Sequence, residues 1–280
     1  MKTKVISKLR QRKVSIIVAI VTLSVSMLSG CSQAAGSATI VAGSTSVQPY
    51  AEVLAEEFMV LNPEAEIDIQ GGGSSAGITA AQTHSAAIGM SSRALKDEEK
   101  SLNYIEIARD GLVLIVNPKN PIQNLTLAQI RDIYEAKITK WSEVGGVDSK
   151  INIIAREEGS GTRSAFTELV MEKAEINPKA IVQDSNGAVR QLVGDDPNAI
   201  GFISLGLVND KVKAVLLDGV EASRDNIING SYSLSRPFLF VTNGEPTGLA
   251  KQFMDFTLSE EGQRLLSNEG LIPVAKETEK

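Results

Sequence analysis

Three places in the chain follow one plan: a short β-prone run, a turn of glycine and hydroxyl residues, then a helix. They are IVAG-STS-VQPYAEVL, IDIQ-GGGSS-AGITAA and IIAREE-GSGT-RSAFTELV. Alternating β and α units build mostly parallel sheets covered by helices. In such sheets, ligands bind beyond the carboxyl ends of the strands. There the helix N-termini present N–H groups without partners in their own helix, and a partial positive charge. Three such ends converging make an anion site that requires no net charge. Glycine lets the backbone approach closely, and hydroxyls add donors that rotate to fit. The candidate donors are Ser44, Thr45 and Ser46 in the first turn, and Ser74 and Ser75 in the second. In the third they are Ser160, Gly161 and Thr162. Arg156 ends the third strand, four residues before Ser160, and a guanidinium forks onto two oxygens at once. One such turn alone is ordinarily a helix cap. Three matched turns and an arginine point to a ligand.

Hydrophobic spacing sets the remaining elements. Val47, Ala51, Leu54, Phe58 and Leu61 share a helix face, with Ser46 placed to cap and Pro49 in the first turn. RALKDEEKSL reads as the start of a helix, with Asp97, Glu98 and Glu99 as a solvated charge run. ARDGLVLIVNP reads as a long strand and LTLAQIRDIYEAKI as an amphipathic helix capped by Thr126. VKAVLLDG reads as one strand, and EPTGLAKQFMDFTLSEEGQRLLSNEG as a closing helix. Breaks near Asn117 and Gly230 suggest crossovers between two lobes, one formed by 39–116 and 231–280, the other by 117–230. Trp141 belongs to a lobe core.

The N-terminus is a separate matter. MKTKVISKLRQRK carries six basic and no acidic residues, and an apolar run ending in LSGC follows. This is the pattern of a secretory signal over 1–30. Its end resembles the lipobox of bacterial lipoproteins, in which the cysteine, here Cys31, carries the lipid. Residues 31–38 then form a short tether. Removing the six basic residues leaves 22 basic against 34 acidic, a net charge of −12. So acidic a surface argues against nucleic acid and against anionic lipid, and it does not draw an anion in. Aromatic residues make up only 4% of the chain, which excludes a stacking platform for bases or sugars. With one histidine and one cysteine, no transition-metal site and no Ser-His-Asp set can be assembled. His84 reads as an exposed helix-end residue.

The segments AGSTSVQP, QGGGSSAGI, IGMSSR and REEGSGTRSAF, with LTLAQIRDIYEAKITKWSEVGG and NAIGFISLG, carry a resemblance. They are similar to the signature segments of the phosphate-binding lipoproteins of bacterial phosphate-specific ABC importers. The likeness runs from about Thr39 to about Val274. It implies an α/β, two-lobed periplasmic-binding-protein fold of type II, with mixed, mostly parallel sheets and a ligand cleft between the lobes. Matching positions imply phosphate contacts from Thr45 and Ser46 with Ser44 beside them, and from Ser74 with Ser75 beside it. They imply further contacts from Arg156, Ser160, Gly161 and Thr162. Where some members carry an aspartate, this chain has Ser92, followed by Arg93, which binds the ligand or pairs with an acidic neighbour. A carboxylate there rewards the proton that phosphate keeps and repels sulfate. Asp110, Glu157 or Glu158 is left to supply that acceptor.

The resemblance implies a monomeric protein without cofactor, metal or catalytic residue. It would capture inorganic phosphate outside the cytoplasmic membrane by closure of two lobes, and deliver it to ABC permease subunits. The lipid would hold it on the outer face of the plasma membrane, or in a periplasm where there are two membranes. The alternatives are a binding protein for sulfate or another tetrahedral oxyanion, a surface esterase or phosphatase using Ser160, and a signalling or adhesion module that kept the fold.

Overall fold

The computed structural model describes residues 38–274. The signal segment, Cys31 and all but the last residue of the tether lie outside the described residues. Strand β1 (Thr39–Gly43) passes through the first glycine–hydroxyl turn into α1 (Gln48–Leu61). Strand β2 (Ile67–Gly71) passes through the second into α2 (Ser74–Gln82), and β3 (Ile88–Ser91) follows. The long strand β4 (Asn103–Val116) leads to the short β5 (Asn124–Leu125) and α3 (Leu127–Tyr134). Strand β6 (Asn152–Arg156) ends at the third turn, which opens α4 (Gly161–Phe166). Then come β7 (Ile181–Gln183), α5 (Asn186–Asp195) and β8 (Ala199–Ser204). The two-residue strands β9 (Lys213–Ala214) and β10 (Leu216–Leu217) precede α6 (Arg224–Ile228). Strand β11 (Ser235–Thr242), α7 (Gly248–Leu258), α8 (Glu260–Asn268) and β12 (Ile272–Pro273) complete the chain.

The main sheet runs β2-β1-β3-β11-β4-β8-β6-β7. Its two wings, β2-β1-β3 and β8-β6-β7, are parallel. Its centre is antiparallel, because β11 runs against both β3 and β4, and β4 runs against β8. The expected parallel order therefore holds in the wings, where strands alternate with helices. It fails in the centre, where long β4 and returning β11 pair directly.

The two largest of four apolar cores among the described residues pack on this sheet. One gathers Val41, Leu54, Phe58, Ile88, Phe238, Phe240 and Phe253. The other gathers Ile130, Tyr134, Trp141, Phe166 and Phe202. Phe166 stacks on Phe202 with centroids 4.1 Å apart, and Trp141 is fully buried with Nε1 donating to the Asn198 carbonyl at 3.0 Å. Burying side chains of this size contributes about 1.5–3 kcal/mol each. Strand β4 serves both cores: Ile107 and Ala108 belong to the first, Leu112, Leu114 and Val116 to the second. The change of core falls near Gly111, ahead of the expected break at Asn117. Asn117 instead fastens the end of β4, donating to the carbonyls of Val193 and Gly194. On the return, Tyr232 and Leu234 still belong to the second core and Phe238 to the first, so that crossing lies beyond Gly230. Both changes of core thus fall within continuous strands and not at turns.

Other expectations also shift. RALKDEEKSL forms only a single 3-10 turn, Asp97–Glu99, because Glu99 folds back onto the Lys96 N–H and Arg93. Glu99 is thus buried, not solvated. VKAVLLDG splits into β9 and β10 because its two halves pair with different strands, β4 and β5. The closing helix breaks at Ser259, whose Oγ accepts from the Gly262 N–H and starts α8 afresh. Thr126 caps α3 as expected, exchanging hydrogen bonds with Gln129.

Candidate anion-binding site

The three glycine–hydroxyl turns meet beyond the carboxyl ends of β1, β2 and β6. Helix α2 approaches β1 and β3 closely because Gly77 has no side chain: a Cβ there would lie 2.5 Å from the Ala42 carbonyl oxygen. That contact lets the start of α2 lie beside the first turn. The third turn closes from the other core. Ser46 Oγ and Thr162 Oγ1 stand 2.8 Å apart although 116 residues separate them, and the Ser75 N–H donates to the Gly159 carbonyl at 3.1 Å. A Cβ on Gly161 would collide with Ser74 Oγ and Ser92 Oγ, so three elements crowd into one small space. Ser44, Ser46, Ser74, Ser92, Ser160 and Thr162 are all buried there.

Their hydroxyls have defined tasks. Ser160 caps α4 by accepting from the Arg163 N–H at 3.2 Å. Ser44 Oγ accepts from the Ser46 N–H at 3.2 Å, which tightens the first turn. Ser74 Oγ accepts from the Ser92 N–H at 3.0 Å and lies 3.3 Å from Ser92 Oγ. The expected cap of α1 by Ser46 is absent. Val47 occupies the N-cap position without a side-chain bond, and Ser46 Oγ faces the interior instead.

Arg156 lies at the end of β6 and is 1% exposed. Its Nε and Nη2 are held by Glu157, at 3.0 and 2.9 Å, and by the carbonyls of Gln183 and Asp184. Nη2 also donates to Thr45 Oγ1 at 3.2 Å. Nη1 has no partner among the described residues. A buried charged donor left unpaired costs considerably more than a neutral one, so such an atom marks a place where an acceptor belongs.

Arg93 and Asp110, two of the candidates, have protein partners. Arg93 does not face the hydroxyl cluster with a free fork. Its Nη1 and Nη2 grip Glu99 at 2.7 and 2.8 Å, and only Nη2 reaches Ser75 Oγ, at 3.5 Å. This pairing holds the Glu99 carboxyl below its ordinary value. Asp110 is not a free acceptor for a ligand proton. Its Oδ2 takes Arg236 Nε and Nη2 at 3.0 and 2.9 Å, and its Oδ1 takes Ser204 Oγ at 2.8 Å. Both oxygens are therefore engaged within the protein. Burial pushes this carboxyl up and the Arg236 guanidinium down, each opposed by the partner. A guanidinium stays protonated in proteins, so the pair is ionic. Glu157 is committed to Arg156, and Glu158 is exposed.

The sequence reading missed Arg236, Asn186 and Ser204. Asn186 Nδ2 donates to Ser46 Oγ at 2.9 Å, and Arg236 Nη2 donates to the same oxygen at 3.1 Å. Asn186 opens α5 after β7, in IVQ-DSNG-AVRQL, a fourth strand–turn–helix unit of the same plan that was legible in principle. Arg236 carries no such signal, being a lone arginine in an otherwise apolar strand. His84 is exposed and contacts Asn243, as a helix-end residue should. No group of three or more potential metal-ligating side chains occurs among the described residues.

Residues 32–261 match the model of the PBP superfamily domain. The Phosphate-binding protein PstS of Bacillus subtilis is 36% identical over 251 residues, spanning 88% of this chain and 83% of that protein. The protein of the same name in Borreliella burgdorferi is 29% identical over 274 residues, spanning 92% of this chain and 98% of that one. A candidate phosphate ABC transporter substrate-binding protein of Clostridium perfringens, solved with bound phosphate, superposes with a TM-score of 0.83. It has 48% identity and covers 85% of this chain and 100% of that one. An ABC-type phosphate transport receptor of Vibrio cholerae gives a TM-score of 0.71 at 38% identity, over 84% of this chain and 99% of that one. The chain thus belongs to the PBP superfamily and, within it, to the family of the PstS phosphate-binding proteins.

Proposed function

We propose that this chain binds inorganic phosphate outside the cytoplasmic membrane and delivers it to an ABC permease, without chemical turnover. The observation that carries this reading is Arg156: a buried guanidinium whose Nη1 is unpartnered, set among hydroxyls from three converging turns. Thr45, Ser46, Ser74, Ser92, Ser160, Gly161 and Thr162 are the remaining proposed contacts, with Ser44 and Ser75 shaping the turns. Each charge-assisted bond is worth about 1.5–3 kcal/mol, and micromolar affinity needs only about 8 kcal/mol. The two largest apolar cores form the proposed lobes, joined by β4 and β11, and their hinge motion would admit and trap the anion. A lipid on Cys31 would keep the monomer at the membrane. Support comes from relatives named for phosphate binding and from a neighbour solved with bound phosphate.

Sulfate is the competing ligand, and one observation favours keeping it in view: the carboxylates of Glu157 and Asp110 are held by Arg156 and Arg236, and Ser92 stands where some members carry an aspartate. Calorimetric titration of residues 32–280, stripped of bound anion by unfolding and refolding, tests the reading at pH 7 and 8. Tight phosphate binding is expected. Binding of neither anion would refute the transport reading. Equal binding of both would make the protein a general oxyanion carrier.

A further inference from the structure

We propose that Arg236 is a second guanidinium of the anion site, donating through Nη1 to the same oxyanion as Arg156. This rests on the phosphate-binding reading and adds a residue that the turns do not predict. Arg236 is 2% exposed, and its Nη1 has no partner among the described residues. The side chain is tightly oriented. Nε and Nη2 share one edge of the planar fork, and Asp110 Oδ2 holds that edge at 3.0 and 2.9 Å. Nη2 also forms the end of the fork together with Nη1, and its second contact is Ser46 Oγ at 3.1 Å. The end that carries Nη1 is therefore turned toward the first turn of the cradle. The Phe238 ring lies 5.5 Å from the guanidinium carbon and helps fix its plane.

The network around Ser46 makes the neighbouring hydroxyl a donor as well. Ser46 Oγ accepts from Asn186 Nδ2 and from Arg236 Nη2, which occupies both of its lone pairs. Its own proton must then go to Thr162 Oγ1, 2.8 Å away. Thr162 in turn has its proton free to donate. Asn186 cannot flip within this arrangement, because its Oδ1 accepts from the Ser204 N–H at 3.3 Å. Arg236 thus acts twice: directly through Nη1, and by directing the Thr162 hydroxyl toward the ligand. Asp110 is its positioning residue, placed directly across the β4–β11 ladder.

The test has two arms. In uniformly 15N-labelled protein, arginine side-chain resonances are followed as phosphate is added, with Arg236→Lys and Arg156→Lys used for assignment. The guanidinium signals of both Arg156 and Arg236 are expected to shift to saturation together. A shift of Arg156 alone would overturn the proposal. The second arm is calorimetry on the charge-balanced double variant Asp110→Asn with Arg236→Gln, which leaves no buried ion alone. A loss of phosphate affinity of about 10- to 100-fold is expected. Binding within twofold of the unaltered protein would overturn this inference and leave the phosphate reading standing. Absence of binding by the unaltered protein would overturn both. Should the double variant fail to fold, the resonance arm decides on the unaltered chain.

Discussion

Arg156 has two of its three nitrogens anchored by Glu157, Gln183 and Asp184, so it enters binding already oriented. Preorganisation of this kind means that little side-chain freedom is lost when the anion arrives. Arg156→Ala should lower phosphate affinity by about 100-fold or more in calorimetry, and Arg156→Lys should restore little, because lysine lacks the fork. Gly161 offers a second check. Its φ is not in the left-handed region, so alanine is conformationally acceptable, yet the new methyl would displace Ser74 Oγ and Ser92 Oγ. Gly161→Ala should cost at least tenfold in affinity and also lower the melting temperature without phosphate, because displacing Ser74 Oγ leaves the buried Ser92 N–H without its acceptor. The residues of the three turns were legible because glycine and hydroxyl chemistry at a strand end is local. The Asp110–Arg236 pair was not, since its members are 126 residues apart and each alone reads as an isolated charge.

At the scale of elements, helix starts decided how much could be read. Thr126 caps its helix as expected, and Ser160, read only as a candidate donor, also caps α4. Ser46 does not, because three interior partners compete for its hydroxyl. The segment after β3 is held by the Arg93–Glu99 pair in place of the expected helix, and that pair gives a pH signature. Arg93 holds the Glu99 carboxyl below its ordinary value, so in acid the unfolded chain binds the extra proton first. The stabilisation is fully present above that value and is lost as pH falls through the depressed one. Melting temperatures measured from about pH 6 down to about pH 3 should therefore fall less steeply for Glu99→Gln than for the unaltered protein. Parallel slopes would show that the pair does not contribute.

Across the whole molecule, the proposed site lies where β4 and β11 pass from one core to the other, and its two arginines, Arg156 and Arg236, each have a carboxylate, Glu157 and Asp110. Formal charge on these two arginines is thus balanced before any anion arrives, in a chain of formal net charge −6. Binding at the proposed site then relies on short-range donors in a buried cradle and not on long-range attraction. Phosphate affinity should then vary less than about threefold between 0.05 and 0.5 M sodium chloride, the range over which surface charges become screened. A steep fall with salt would place the anion on an exposed basic patch. Wings and helices were legible from alternation of pattern. The antiparallel centre was not, since long-range pairing of β4 with β11 and β8 leaves no local mark. The most direct measurement is a crystal structure of residues 32–280 grown with phosphate. The account predicts one tetrahedral anion within hydrogen-bond distance of Arg156 Nη1 and Thr162 Oγ1, between the starts of α2 and α4. Phosphate seated elsewhere, with Arg156 Nη1 bonded to a protein acceptor, would contradict it.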